Sequence, residues 1–167
     1  MRSDFEVEQA IERYGDTVMR LCMIYLKNDA DSQDIFQTVF LKYALCGVAF
    51  ESPEHEQSWL VRVTINACKD LCRSFFRRRT VSLEEVAGLP EVREPEYREV
   101  LEAVLGLPEK YRVAIYLHYY EGYTAPEIGK LTGRNVNTVY TLLNRGKKML
   151  KEALEDGPVE QYIDQRI

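Results

Sequence analysis

Arg62, Asn66, Lys69, Arg73 and Arg77 recur at intervals of three or four residues in the stretch QSWLVRVTINACKDLCRSFFRRR. On a helix turning about 100° per residue they share a sector about 80° wide, a straight polar line of hydrogen-bond donors. Leu60, Val63, Ala67, Leu71 and Phe75 fall on the other side and are expected to form core. Among acidic residues only Asp70 comes near the line. Trp59 projects at its edge, where it either packs into the core or offers a face to an unstacked base. The chemistry such a line suits is the holding of a nucleic-acid strand. Its end, Phe75 to Arg79, also suits a plain helix C-terminus, where cations are favoured by the dipole.

A second constellation lies in GYTAPEIGKLTGRNVNTVYTLLNRGKKMLKEAL. Thr124 and Glu127 have the spacing of a capping box, and Pro126 is tolerated in the first turn of the short helix they start. Gly129 is expected to let another helix approach, Gly133 to end the helix in a tight turn, and Asn135 to cap the next one. Two helices joined by a short glycine-containing turn form the pattern of a helix-turn-helix. Val136, Val139, Leu143, Gly146 and Leu150 point inward along the second helix, and Asn137, Tyr140, Thr141, Asn144, Arg145, Lys148 and Lys151 point outward. That mixture of amides, hydroxyls and cations reads base edges and phosphates in a major groove.

The elements that position these faces are helical nearly throughout. Apolar residues recur with a period near 3.6, and no run alternates with period 2. A first helix over about 5–27 carries Ile11, Tyr14, Val18, Leu21 and Tyr25 on one side. A second, in DADSQDIFQTVFLKY, carries Ile35, Phe36, Val39, Phe40 and Tyr43. Residues 47–55 read as a loop punctuated by Pro53, and a third helix runs from about Glu56 to Arg78. The acidic, proline-bearing segment 80–96 reads as a linker, and Gly157 and Pro158 open a tail over 156–167. The expected fold is therefore all-α, with helical domains over 1–79 and 97–155.

The composition, 46% hydrophobic and 29% charged, is that of an ordinary globular protein. A net charge of −5 does not exclude nucleic acid, because screening makes the local placement of cations decisive. No apolar run is long enough to span a membrane and the N-terminus has no apolar signal region, so the cytoplasm is the expected location. Cys22, Cys46, Cys68 and Cys72 form no CxxC pair, and His55 and His118 stand in no metal-ligand spacing; reduced thiols, no metal and no cofactor are expected.

Taken together these segments resemble the sigma-70 family of RNA polymerase sigma factors, specifically the compact extracytoplasmic-function (ECF) group. DADSQDIFQTVFLKY is similar to the helix of the family's region 2 that docks on core RNA polymerase, SWLVRVTINACKDLCRSFFRRR to the helix that contacts the promoter −10 element, and LPEKYRVAIYLHYYEGYTAPEIGKLTGRNVNTVYTLLNRGKKMLKEAL to region 4, which reads the −35 element. The resemblance implies polymerase docking by Asp34, Gln37, Thr38 and Leu41. It implies −10 contacts by Trp59, Arg62, Asn66, Lys69, Arg73 and Arg77, and −35 contacts by Arg134, Asn137, Tyr140, Thr141, Asn144, Arg145 and Lys148. The loop at about 46–57 corresponds to one that captures a flipped non-template base. It further implies promoter DNA as a partner, no catalysis by the chain itself, and an anti-sigma factor as an inhibitor common in the group.

Departures from the family pattern are Thr38 where an acid is usual, Asn137 where glycine is common, and Tyr140 and Leu142 where Lys and Arg are frequent. Arg134 replaces an apolar turn residue, so its stem is expected to cover core while its head reaches out. These changes point to weaker docking, an altered −35 preference and fewer phosphate contacts. Two other classes of protein fit the same residues less well. An operator-binding helix-turn-helix regulator would leave the first domain without a purpose and calls for a dimer seam, whereas the chain shows no heptad pattern and a monomer is expected. A small enzyme or adaptor lacks a nucleophile–base pair and a phosphate-cradling glycine loop.

Overall fold

The computed structural model describes residues 1–78 and 95–154, with side chains for 1–74 and 99–154. Helices fill these segments and no strand occurs among the described residues. The chain divides between its third and fourth helices into two compact units.

In the first unit, α1 (Asp4–Leu26) packs on α2 (Asp29–Leu45) and α3 (Pro53–Arg78), which also pack on each other. Ser3 and Glu6 start α1 with a reciprocal capping box, and Lys27 ends it in the left-handed region at φ 53°. The chain reverses at once, because the Asn28 side chain accepts the Asp31 N–H at 2.9 Å and so opens α2. The start of α3 differs from the sequence expectation. Pro53 is its first residue rather than loop punctuation, since a proline at this position forfeits only an N–H with no helical partner. Ser52 accepts the His55 N–H at 3.1 Å, as a cap does.

The core of this unit contains Tyr14, Val18, Leu21 and Tyr25 of α1, as expected, but Ile11 lies at the rim and is partly exposed. Ile35, Val39, Phe40 and Tyr43 of α2 are buried, with Phe36 half-buried. On α3 the buried face is Leu60, Val61, Thr64, Ile65, Ala67 and Cys68; Val63 and Leu71, expected in the core, are only half-buried. The face is turned because α3 lies against two helices at once, so its apolar sector centres between them. Buried Thr64 satisfies its hydroxyl on the Leu60 carbonyl at 2.7 Å. No disulfide joins the four cysteines: Cys22 and Cys68 are buried, and Cys46 and Cys72 half-buried.

The second unit comprises α4 (Pro95–Leu105), α5 (Glu109–Ile115), a π-helical turn (Tyr116–Tyr120), α6 (Ala125–Thr132) and α7 (Val136–Ala153). Pro95 and Glu96, placed in the linker by sequence, are the first residues of α4, again with proline at a helix start. The rest of the linker and the tail, with Gly157 and Pro158, lie outside the described residues. Helix α5 packs on α7, and Gly146 makes this possible. A Cβ there would lie 3.0 Å from Ile115 Cγ1 and 3.4 Å from Tyr111 Cβ. Buried Arg112 donates to the Leu107 carbonyl at 2.9 Å, satisfying the turn between α4 and α5.

Candidate nucleic-acid interface

The line on α3 is continuous in the structure. Arg62, Asn66 and Arg73 are exposed and Lys69 is half-buried, all on the side away from the buried face. Asp70 lies 3.7 Å from Arg73 as an ion pair, yet both side chains keep more than two thirds of their surface in solvent. At that exposure the pair is weak and releases the guanidinium readily. The Arg77 side chain lies outside the described residues, as do those of Phe75, Phe76 and Arg78; the helical backbone runs through Arg78.

Trp59 is half-buried at the edge of the line. Its ring lies edge-on to Tyr43 at 6.2 Å and to Phe50 at 5.7 Å. Phe50 in turn stacks parallel to Tyr43 at 6.1 Å and meets His55 edge-on at 5.4 Å. The two readings of Trp59 are therefore compatible: one part packs against the cluster and another stays open beside the polar line.

Beneath this cluster is a carboxylate that the sequence reading missed. Glu56, one turn into α3, accepts the Tyr43 hydroxyl at 2.5 Å and the Tyr14 hydroxyl at 3.0 Å. It thereby ties α1 and α2 to the start of the line. Burial, then the adjoining Glu56 carboxylate, pushes the Tyr43 hydroxyl well above its ordinary pKa. Burial raises Tyr14 in the same way. Nothing in the periodicity marks Glu56, because its partners are 13 and 42 residues away.

Asp34, Gln37, Thr38 and Leu41 follow i, i+3, i+4, i+7 spacing on α2 and all are exposed. The Thr38 hydroxyl donates to the Asp34 carbonyl at 2.9 Å, a bond internal to the helix that adds no charge to this face. Leu41 is 61% exposed, and so is Leu45 one turn on. The spacing of Leu45 from Leu41 already placed it on this stripe, but only the structure shows it uncovered. Burial, with Asp34 as a lesser cause, lifts the Asp31 carboxyl above its usual range at the same end of the helix.

In the second unit the helix-turn-helix is built as its local signals require. Thr124 and Glu127 form the capping box, Gly133 turns the chain at φ 72°, and the Asn135 side chain accepts the Asn137 N–H at 2.8 Å. Gly129 faces the turn and the start of α7, where a Cβ on it would lie 3.8 Å from the Val136 nitrogen. The same Cβ would lie 2.8 Å from the Arg134 carbonyl oxygen, so the glycine makes room for the turn itself. The turn closes on the same residue through a 2.9 Å bond from Arg134 N–H to the Gly129 carbonyl.

On α7, Asn137, Tyr140, Thr141, Asn144, Arg145 and Lys148 are exposed, Lys151 is half-buried, and Thr138 joins the exposed face although sequence did not single it out. Tyr140 is 52% exposed, large for an aromatic ring, whereas Leu142 is buried and extends the core. Arg134 is exposed, in keeping with a head that reaches outward from the turn. The π-helical turn was not foreseen. It stacks Tyr116 on Tyr120 at 5.2 Å, and the Tyr116 hydroxyl donates to Glu121 at 2.6 Å. Among the described residues no cluster of His, Cys, Asp and Glu could hold a metal ion, and no helix is long and apolar enough to cross a membrane.

Comparison with known proteins agrees with this geometry. Residues 10–80 match the family model for Sigma-70 region 2, and residues 97–150 that for Sigma-70, region 4. The chain is 33% identical over 135 residues to the RNA polymerase sigma factor SigV of Bacillus subtilis, covering 79% of this chain and 81% of that one. It is 28% identical over 165 residues to the ECF RNA polymerase sigma factor SigW of the same organism, covering 87% of each. The fold is shared with a sigma factor RpoE solved in complex with the anti-sigma factor NepR from Bartonella quintana. That match has a TM-score of 0.77 at 19% identity over 90% of this chain and 97% of that one. It is shared also with CnrH in complex with the cytosolic domain of CnrY, with a TM-score of 0.63 at 21% identity over 92% and 90%. The chain belongs to the sigma-70 family of RNA polymerase sigma factors, in its ECF group.

Proposed function

We propose that this sigma factor brings core RNA polymerase to two-part promoters, dividing the work between its two units. In this reading the first unit covers 1–79 and the second begins with α4 at Pro95 and runs to about 155, the two joined by the acidic segment between them. Asp34, Gln37, Thr38 and Leu41, extended by Leu45, dock on the polymerase. Arg62, Asn66, Lys69, Arg73 and Arg77, with Trp59 beside them, hold the opened −10 strand. Arg134, Asn137, Tyr140, Thr141, Asn144, Arg145 and Lys148 read the −35 duplex. The observation that carries the reading is the pair of exposed donor faces, on α3 and α7, each backed by a separate core.

The two faces suit different nucleic-acid forms. The α3 face has cations and an aromatic edge but few groups that distinguish bases, which fits an unpaired strand. The α7 face mixes amides and hydroxyls with cations and follows a tight turn, which fits a major groove. The chain itself breaks and forms no covalent bond; polymerase supplies the catalytic magnesium, and the work is done in the cytoplasm. An anti-sigma factor is a further partner in this reading, since the RpoE relative was solved with one.

Transcription of a promoter library by core polymerase, with and without the protein, tests the reading. The expected result is new transcripts that start a fixed distance downstream of a shared two-part motif. Specific duplex binding by the isolated protein with no polymerase association and no transcripts would favour an operator-binding regulator instead.

A further inference from the structure

The loop between α2 and α3, residues 46–52, exposes Gly47, Val48 and Ala49 at its tip, while its base is held by a residue from the start of the chain. Arg2 lies with its guanidinium carbon 4.6 Å from the Tyr43 ring centre and 4.9 Å from that of Phe50. One terminal nitrogen donates to the Val48 carbonyl and lies 3.8 Å from Cys46 Sγ. The Arg2 backbone N–H donates to the Ala44 carbonyl at 2.8 Å, at the end of α2, and Ser3 next to it caps α1. The other terminal nitrogen is 3.9 Å from Glu6. Arg2 Nε is buried without an acceptor, so the terminal nitrogens alone anchor the head.

We propose that Arg2 is a positioning residue for this loop, fixing the shape in which it receives a flipped base of the non-template strand. The proposal rests on the sigma reading above and assigns a residue which that reading does not use. A seven-residue connection that must grip a base loses affinity to the extent that it is ordered only on binding. Arg2 removes that cost beforehand. Its planar fork reaches a backbone carbonyl in the loop while its face covers two rings, one of them inside the loop, and a lysine could reproduce the charge but not the fork. Phe50 is thereby enclosed by Tyr43, Trp59, His55 and Arg2, so the polypeptide from 50 onward enters α3 at a fixed angle. The start of the α3 donor line inherits that angle.

The test uses the full chain with core polymerase, comparing the natural protein with Arg2→Ala and Arg2→Lys. Three quantities are read: polymerase affinity, melting temperature, and relative affinity of the holoenzyme for single-stranded −10 oligonucleotides carrying each of the four bases at the captured position. Arg2→Ala is expected to leave polymerase affinity unchanged and to reduce base discrimination about tenfold, the effect of losing a charged hydrogen bond together with a cation–π contact. Arg2→Lys is expected to fall between the two. Unchanged discrimination in Arg2→Ala overturns the proposal, as does a loss that only parallels a fall in melting temperature and polymerase affinity. If Arg2→Ala does not fold, Arg2→Lys decides, and discrimination equal to the natural protein's overturns the proposal. Failure of the natural protein itself to bind polymerase or to discriminate would instead count against the sigma reading.

Discussion

The two units reach similar exposed donor faces by opposite means. In the first, position depends on contacts between residues far apart in sequence: Glu56 joins Tyr14 and Tyr43, and Arg2 joins the loop after α2. In the second, position depends on signals a few residues apart: a capping box at Thr124 and Glu127, a left-handed Gly133, and a turn closed on Gly129. The difference fits the two tasks proposed for the units. A duplex groove is a rigid target that a locally fixed helix pair can match, whereas an opened strand and a captured base need several elements held at once.

If that contrast is right, the largest effect belongs to Gly129→Ala. In most helices this change adds stability, but here the new Cβ would meet the Arg134 carbonyl at 2.8 Å. Overpacking a backbone contact should cost about 2–3 kcal/mol, lowering the melting of the second unit while hydrogen exchange in α1–α3 stays unchanged. Exchange that speeds up in both units would refute a local role for this glycine.

Glu56→Ala comes next. It leaves the buried Tyr43 hydroxyl short of an acceptor, while Tyr14 keeps the Pro53 carbonyl at 3.2 Å, and should destabilise the first unit by about 2 kcal/mol, read as denaturant unfolding with the second unit unaffected. The same network gives a pH prediction. The folded-state pKa values of Tyr43 and Tyr14 are raised above 10.0, the ordinary value. The unfolded chain therefore ionises first, and their contribution is fully present below pH 10 and lost as pH rises above it. Tyr43→Phe should flatten that alkaline loss; an unchanged slope would remove Tyr43 from the account.

Smaller effects separate surface from core. Leu41→Ala combined with Leu45→Ala should leave melting unchanged, because both residues are already exposed, while weakening polymerase binding about tenfold if they are anchors of that contact. Arg62→Ala and Arg73→Ala together should lower the log–log salt slope for a single-stranded −10 oligonucleotide by about 1.4, roughly 0.7 for each cation. A slope that does not change would mean these exposed side chains contact no phosphate.

How much was legible in the sequence follows the same contrast. The helix-turn-helix could be read nearly residue by residue, because caps and glycine turns are local chemistry. Even there only the approach of α7 to Gly129 could be read, and not the nearer turn carbonyl of Arg134, since a spacing shows that room is needed but not what fills it. On α3 the polar line was legible from its period, yet the buried face was turned, with Val61, Ile65 and Cys68 inside and Val63 half out. A helical wheel cannot tell whether one neighbour or two will cover a face. Pro53 and Pro95 were read as loop or linker because proline marks both a break and a helix start, and only the capping residue before Pro53 decides between them. Glu56 and Arg2 carried no signal at all, because their partners belong to other elements.

The most direct test of the division of labour is one promoter-library selection run with three holoenzymes: natural protein, Asn144→Ala with Thr141→Ala on α7, and Arg62→Ala with Arg73→Ala on α3. The account predicts that the α7 changes alter base preference only in the upstream motif. The α3 changes should reduce opening at every promoter without altering either motif. Base preferences that change in the downstream motif with the α7 pair, or in the upstream motif with the α3 pair, would contradict it.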